Sequence, residues 1–63
     1  MKQNFYTWNW VGGGYNQTYA CNRADALEAA KKIWPAGVVD LSTFKQLNKE
    51  EEIWYWQNFR VMD

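Results

Sequence analysis

Histidine is absent from this 63-residue chain, and cysteine occurs once, at Cys21. Together these exclude an intramolecular disulfide and the usual nitrogen-and-sulfur ligand set of a zinc site. No metal or cofactor is expected. Cys21 also lacks a histidine to activate it, so it reads as a small buried residue at a strand–helix junction. Proline occurs once, at Pro35. No apolar run reaches the length of a signal h-region or a membrane span, so no membrane role is expected, and the lone thiol points to a reducing, cytoplasmic setting. Neither sign of charge is in excess: seven basic residues face seven acidic ones. Residues 1–32 carry Lys2, Arg23, Lys31 and Lys32 against Asp25 and Glu28, while residues 33–63 lean acidic. So mild a dipole gives little support to phosphate-driven binding.

Such a length makes one domain, residues 1–63, that buries only about 60% of the surface its unfolded chain exposes. Without disulfide or metal, the core must come from aromatic rings. There are five Trp, four Tyr and three Phe, and each buries a large area. Half of them lie in one stretch, Phe5 to Tyr19. Residues 4–11 alternate as a strand does, with Tyr6, Trp8 and Trp10 on one face and Phe5, Thr7, Asn9 and Val11 on the other. Gly12-Gly13-Gly14 suits a hairpin turn, where φ > 0 is needed. It lacks the GxxxxGK[ST] pattern of a phosphate loop. If Gly12-Gly13 are the central turn residues, Tyr6 pairs with Tyr19, Trp8 with Gln17 and Trp10 with Tyr15, and a Thr/Asn face of Thr7, Thr18, Asn9 and Asn16 is left to solvent. A three-residue turn would pair Trp10 with Asn16 and Trp8 with Thr18. Sorting of aromatic and Thr pairs favours the first register.

Asn22 is a helix cap, with Asp25 three residues on. The alanine-rich run Arg23–Trp34 is strongly helical, acidic at its start and basic at its end, and Pro35 stops it. Ala26, Leu27, Ala30, Ile33 and Trp34 form one stripe. After Ala36-Gly37, Val38–Leu41 suits a strand start or a packed loop, and Thr43–Leu47 alternates as a third strand. Asn48 with Glu51 makes a capping box, and Glu50, Glu51 and Glu52 suit a first helical turn. That predicts a helix over Lys49–Asn58, with Ile53, Trp56 and Arg60 sharing a face. Ile53-Trp54-Tyr55-Trp56 also has strand composition, which leaves a strand as the alternative. The tail Phe59–Asp63 is expected to pack back. The fold class is therefore α+β: a small antiparallel sheet led by an N-terminal β-hairpin, one Ala-rich helix packed on it, in the order ββαβα, or ββαββ if the last segment is a strand.

No catalytic residue is expected. The glutamates are accounted for by a solvated first turn, and so short a chain offers little room for a pocket of several hundred Å³. The aromatic sheet face reads first as core, because Ala26 and Ala30 let a helix lie close over bulky rings. Five tryptophans nevertheless exceed what such a core hides. Trp8, Trp10, Tyr15, Trp54 and Trp56 are the candidate binding residues, and exposed Trp and Tyr are typical interface anchors. The layout is similar to that of many very short accessory proteins of bacteriophages and prophages: an aromatic hairpin, then an Ala-rich helix (Asp25-Ala26-Leu27-Glu28-Ala29-Ala30), a short strand, and an acidic aromatic segment (Glu51–Trp56). The resemblance implies a compact protein that binds a host or phage component. The expected function is thus a non-enzymatic binding protein that acts on a protein partner, as an accessory or inhibitor protein would, with self-association, as a homodimer, as a further use of the same aromatics. The alternative is a single-stranded nucleic-acid binder that stacks bases on the aromatic sheet, assisted by Lys2, Arg23, Lys31 and Lys32.

Overall fold

A computed structural model of the chain describes residues 3–61, with side chains as far as Asn58. Its elements run β1 (Asn4–Trp10), β2 (Tyr15–Ala20), α1 (Arg23–Ile33), β3 (Val39–Leu47) and α2 (Lys49–Val61). The order is ββαβα, and the last segment is a helix. The three strands form an antiparallel sheet ordered β2-β1-β3, so the first strand is the central one.

β1 alternates as its sequence demands, and the structure buries both of its faces. Phe5, Tyr6, Thr7, Trp8 and Trp10 are all buried. On one face Tyr6, Trp8 and Trp10 pack with Ala20, Phe44 and the alanines Ala26 and Ala30 of α1. The two α1 alanines are completely sealed, because a methyl group is all that fits between a helix backbone and stacked rings. Phe44 stacks on both Tyr6 and Trp8, at 5.6 and 5.9 Å between centroids. The Arg23 guanidinium sits 4.7 Å from the centre of that ring, a cation–π contact at the start of α1. On the other face Phe5 packs with Leu47, Tyr55 and Trp56, so α2 supplies a second cover. The molecule is a helix–sheet–helix sandwich.

Trp8 is completely buried, yet its indole N–H finds no acceptor. An unsatisfied buried donor costs about 1–3 kcal/mol. Burying a ring of this size stabilises by roughly 4–6 kcal/mol at ~25 cal/mol per Å², so the packing wins.

The hairpin register differs from both expected ones. Asn4 pairs with Ala20, Tyr6 with Thr18, Trp8 with Asn16 and Asn9 with Tyr15. The Trp10 N–H donates to Gly14 C=O (2.9 Å) and Gly13 N–H to Trp10 C=O (3.1 Å), so Val11 belongs to the turn and Gly14 stands opposite Trp10. All three glycines have φ near +90° to +120°, which side chains with a Cβ resist. Relative to the favoured register this moves every β2 side chain to the other face. Tyr15, Gln17 and Tyr19 join Phe5 and Thr7 on the face that α2 partly covers, while Asn16 and Thr18 join the tryptophans. The physical reason is bulk: five large rings on one face would not fit under an alanine-faced helix.

Both helices start as their caps predict. Asn22 Oδ1 accepts the Asp25 N–H (2.9 Å). Asn48 and Glu51 form the reciprocal box, Glu51 N–H to Asn48 Oδ1 at 2.8 Å and Asn48 N–H to Glu51 Oε1 at 3.0 Å. α1 ends one residue early, with Trp34 as its C-cap, and Ile33 and Trp34 are half-exposed rather than part of the buried stripe. Trp34 turns back through Pro35 (Gly37 N–H to Trp34 C=O, 3.0 Å) to meet Trp10 edge-on at 5.1 Å. Gly37 lies so close beneath that pair that an added Cβ would run into the Trp34 ring and stand 3.0 Å from Trp10. β3 starts earlier than expected, at Val39. In α2 the sheet-facing residues are Glu52, Tyr55 and Trp56, whereas Ile53 is half-exposed. The expected Ile53–Trp56–Arg60 face is therefore rotated, because Phe5 accepts rings from the Tyr55 side. The side chains of the tail, Arg60 included, lie outside the described residues.

If α1 rests on the ring layer through its alanines, Ala30→Phe should cost about 1–3 kcal/mol by overpacking, read as a lower urea midpoint. An unchanged midpoint would contradict this packing.

Candidate functional site

α2 packs on the Phe5 face of the sheet, and beside it a groove stays open. Its volume is about 850 Å³, larger than so short a chain was expected to hold. The groove is lined by Thr7 and Asn9 of β1, Thr43 and Lys45 of β3, and two aromatic rings, Tyr15 from β2 and Trp54 from α2. Tyr15 is 50% and Trp54 60% exposed.

This lining is shaped by a break in the β3 ladder. Phe5 and Thr7 pair with Leu47 and Lys45, but Asn9 and Trp10 pair with Asp40 and Val39. The intervening residues Leu41–Phe44 therefore stand opposite Trp8 alone, out of register. Side chains hold this bulge. Asn9 N–H donates to Thr43 Oγ1 (2.8 Å), Thr43 Oγ1 donates to Asp40 C=O (2.8 Å), and Ser42 Oγ donates to Asp40 Oδ1 (2.6 Å). Bulges of this kind re-aim side chains and often flank functional surfaces. Hydroxyl and amide groups are thus presented in a depression whose lining also includes Lys45, Glu50 and Glu51.

α2 is tied to the sheet by tyrosines. Tyr55 OH donates to Gln17 Oε1 (2.7 Å), and Tyr19 OH donates to the Glu52 carboxylate. The Glu52 bond, then burial, raises the Tyr19 phenol above its ordinary 10.0. Burial, then the neighbouring Tyr15, raises that of Tyr55.

The five expected binding residues separate. Trp8 and Trp10 are core, buried beneath α1. Trp56 is half-buried against Phe5 at 5.6 Å. Tyr15 and Trp54 are brought together at the groove. Thr7, Asn9, Thr43 and Lys45 were not singled out from the sequence. Thr7 and Asn9 fell on a face expected to be solvated, and the bulge that exposes Thr43 leaves no mark in the alternation of Thr43–Leu47. Cys21 is half-buried at the end of β2, and its carbonyl accepts from the Asn4 side-chain amide (3.3 Å). Among the described residues no group of His, Cys, Asp and Glu could hold a metal ion, and no helix is long and apolar enough to cross a membrane. Comparison with protein families, curated proteins and solved structures found no match to this chain.

Because these two phenols ionise later in the folded than in the unfolded chain, the stability they contribute is complete below pH ~10 and is lost as pH rises above it. Tyr19→Phe and Tyr55→Phe should each flatten the alkaline fall of the urea midpoint. Slopes identical to wild type would contradict the assigned contacts.

Proposed function

We propose that this chain is a non-enzymatic binding protein that holds a segment of a protein partner in the groove between α2 and the sheet. The observation that carries the reading is the pair of exposed rings, Tyr15 and Trp54, that line one groove together with the hydroxyl and amide groups of Thr7, Asn9 and Thr43. Aromatic anchors beside hydrogen-bonding groups are the usual make-up of an interface centre. The rim carries both signs of charge, Lys45 against Glu50 and Glu51, which suits a polypeptide better than a polyanion.

Base stacking on the aromatic sheet is not supported, because Tyr6, Trp8 and Trp10 lie in the core under α1. Of the basic set invoked for it, Arg23 is engaged with Phe44, Lys31 and Lys32 lie at the end of α1, and Lys2 is outside the described residues. An accessory or inhibitor role of the phage type, in the cytoplasm, is the setting this reading takes from the layout of the chain and its single thiol.

Selection from a random peptide library, followed by titration of the chosen peptides, tests the site. Trp54→Ala and Tyr15→Ala should each weaken binding about 10-fold or more, ~1.4 kcal/mol upward, with the far-UV spectrum unchanged. Peptides held equally well by both variants would overturn the assignment.

A further inference from the structure

The two edges of the sheet are unlike. β3 is protected in the ways edge strands usually are: its ladder is broken at Leu41–Phe44, Asp40 turns its carboxylate onto Ser42, and Lys45 is exposed. β2 has none of these devices. Tyr15-Asn16-Gln17-Thr18-Tyr19-Ala20 contains no charge and no proline, and it pairs with β1 without interruption.

The hydrogen-bond phase says which β2 groups point outward. Trp10 N–H donates to Gly14 C=O, so the same ladder pattern recurs at Trp8 with Asn16 and Tyr6 with Thr18. Tyr15, Gln17 and Tyr19 then aim their backbone N–H and C=O away from β1. Two bonds agree with that phase. Gln17 N–H goes to the Asn16 side chain (2.9 Å) rather than to β1, and Asn9 N–H points to β3.

We propose that β2 is a self-association edge, on which a second copy of this chain pairs its own β2 antiparallel about Gln17, joining the two sheets into one. Outward groups must meet outward groups, so residues 15, 17 and 19 pair among themselves. Centring on Gln17 gives the longest such overlap. It sets Tyr15 opposite Tyr19 of the second copy, Gln17 opposite Gln17, and Asn16 opposite Thr18. Each match is chemically favourable: aromatic with aromatic, amide with amide, amide with hydroxyl. No charge on the strand opposes a second copy, whereas β3 would bring Lys45 into any such pairing. The local covers, Asn16 Oδ1 on Gln17 N–H and Thr18 Oγ1 on Tyr19 C=O at 3.5 Å, are ones that a new strand replaces with ladder bonds. This edge shares Tyr15 and Asn16 with the groove but uses neither Trp54 nor Gln17 in common with it, so peptide binding read through Trp54→Ala and self-association read through Gln17→Lys are distinguished.

Sedimentation equilibrium of the full chain from micromolar to near-millimolar concentration should show the mass rising from 7.5 kDa to twice that value. Gln17→Lys sets two ammonium groups opposite each other and should abolish the rise, while Gln46→Lys on β3 should leave it intact. Gln17 also accepts from Tyr55, so a second readout uses the wild-type chain. Amide exchange at Tyr15 and Tyr19 should slow as concentration rises, with the α1 amides unchanged. A 7.5 kDa mass throughout, a dimer that survives Gln17→Lys in a folded variant, or concentration-independent exchange at Tyr15 and Tyr19 would each overturn the proposal.

Discussion

β1 is buried on both faces in a chain too short to hide it easily, and the remaining elements answer that one constraint. A central strand with rings on both sides needs two covers, and they differ because the rings differ. The tryptophan face carries flat, bulky side chains that already fill the layer. Its cover is α1, which contributes the methyl groups of Ala26 and Ala30, with the partly buried Leu27 beside them. The Phe5 face has one ring on β1 and smaller residues beside it. Its cover is α2, which brings its own rings, Tyr55 and Trp56, down onto Phe5 at 5.4 and 5.6 Å. Large faces small on one side, and ring faces ring on the other. This division lets a core without disulfide or metal close around an aromatic strand.

The groove is a consequence of the same division. Past Thr7, β1 adds no further ring to the Phe5 face: Asn9 offers nothing apolar for α2 to bury, and its N–H bonds to Thr43 of the β3 bulge. α2 therefore covers the Phe5 end of the sheet and leaves the other half open. Trp54, on the helix side away from the core, lines the space that remains. The exposed aromatics proposed to bind a partner are thus those the core does not recruit.

Much of this was legible in the residues. The alternation of residues 4–10, the Asn22 cap, the Ala26 and Ala30 part of the stripe and the Asn48–Glu51 box are local signals, and these formed where they were expected. Val11 instead went to the turn, and Ile33 and Trp34 fell outside the stripe. The register of β2 was not legible, because it depends on whether Val11 belongs to the strand or the turn. That is decided elsewhere: Val11 N–H donates to Val38 C=O on the far side of the sheet (2.8 Å), and on the α2 face Tyr19 reaches Glu52. The face of α2 was misjudged for a related reason. Apolar spacing alone pairs Ile53 with Trp56, but Tyr19 and Gln17, once placed under the helix, offer polar partners to Glu52 and Tyr55. The helix turns to meet them. Nonlocal pairing governs both, and no window of the sequence contains it.

The central claim is that β1 is covered on both faces while the groove aromatics stay in solvent. Oxidative footprinting of the folded chain, read tryptophan by tryptophan by mass spectrometry, tests it directly. Trp54 and Trp34 should be modified readily, Trp56 more slowly, and Trp8 and Trp10 hardly at all before unfolding, in line with their order of exposure. Modification of Trp8 or Trp10 at the rate of Trp54 would mean that α1 does not lie on the tryptophan face, and the account would fail at its first step.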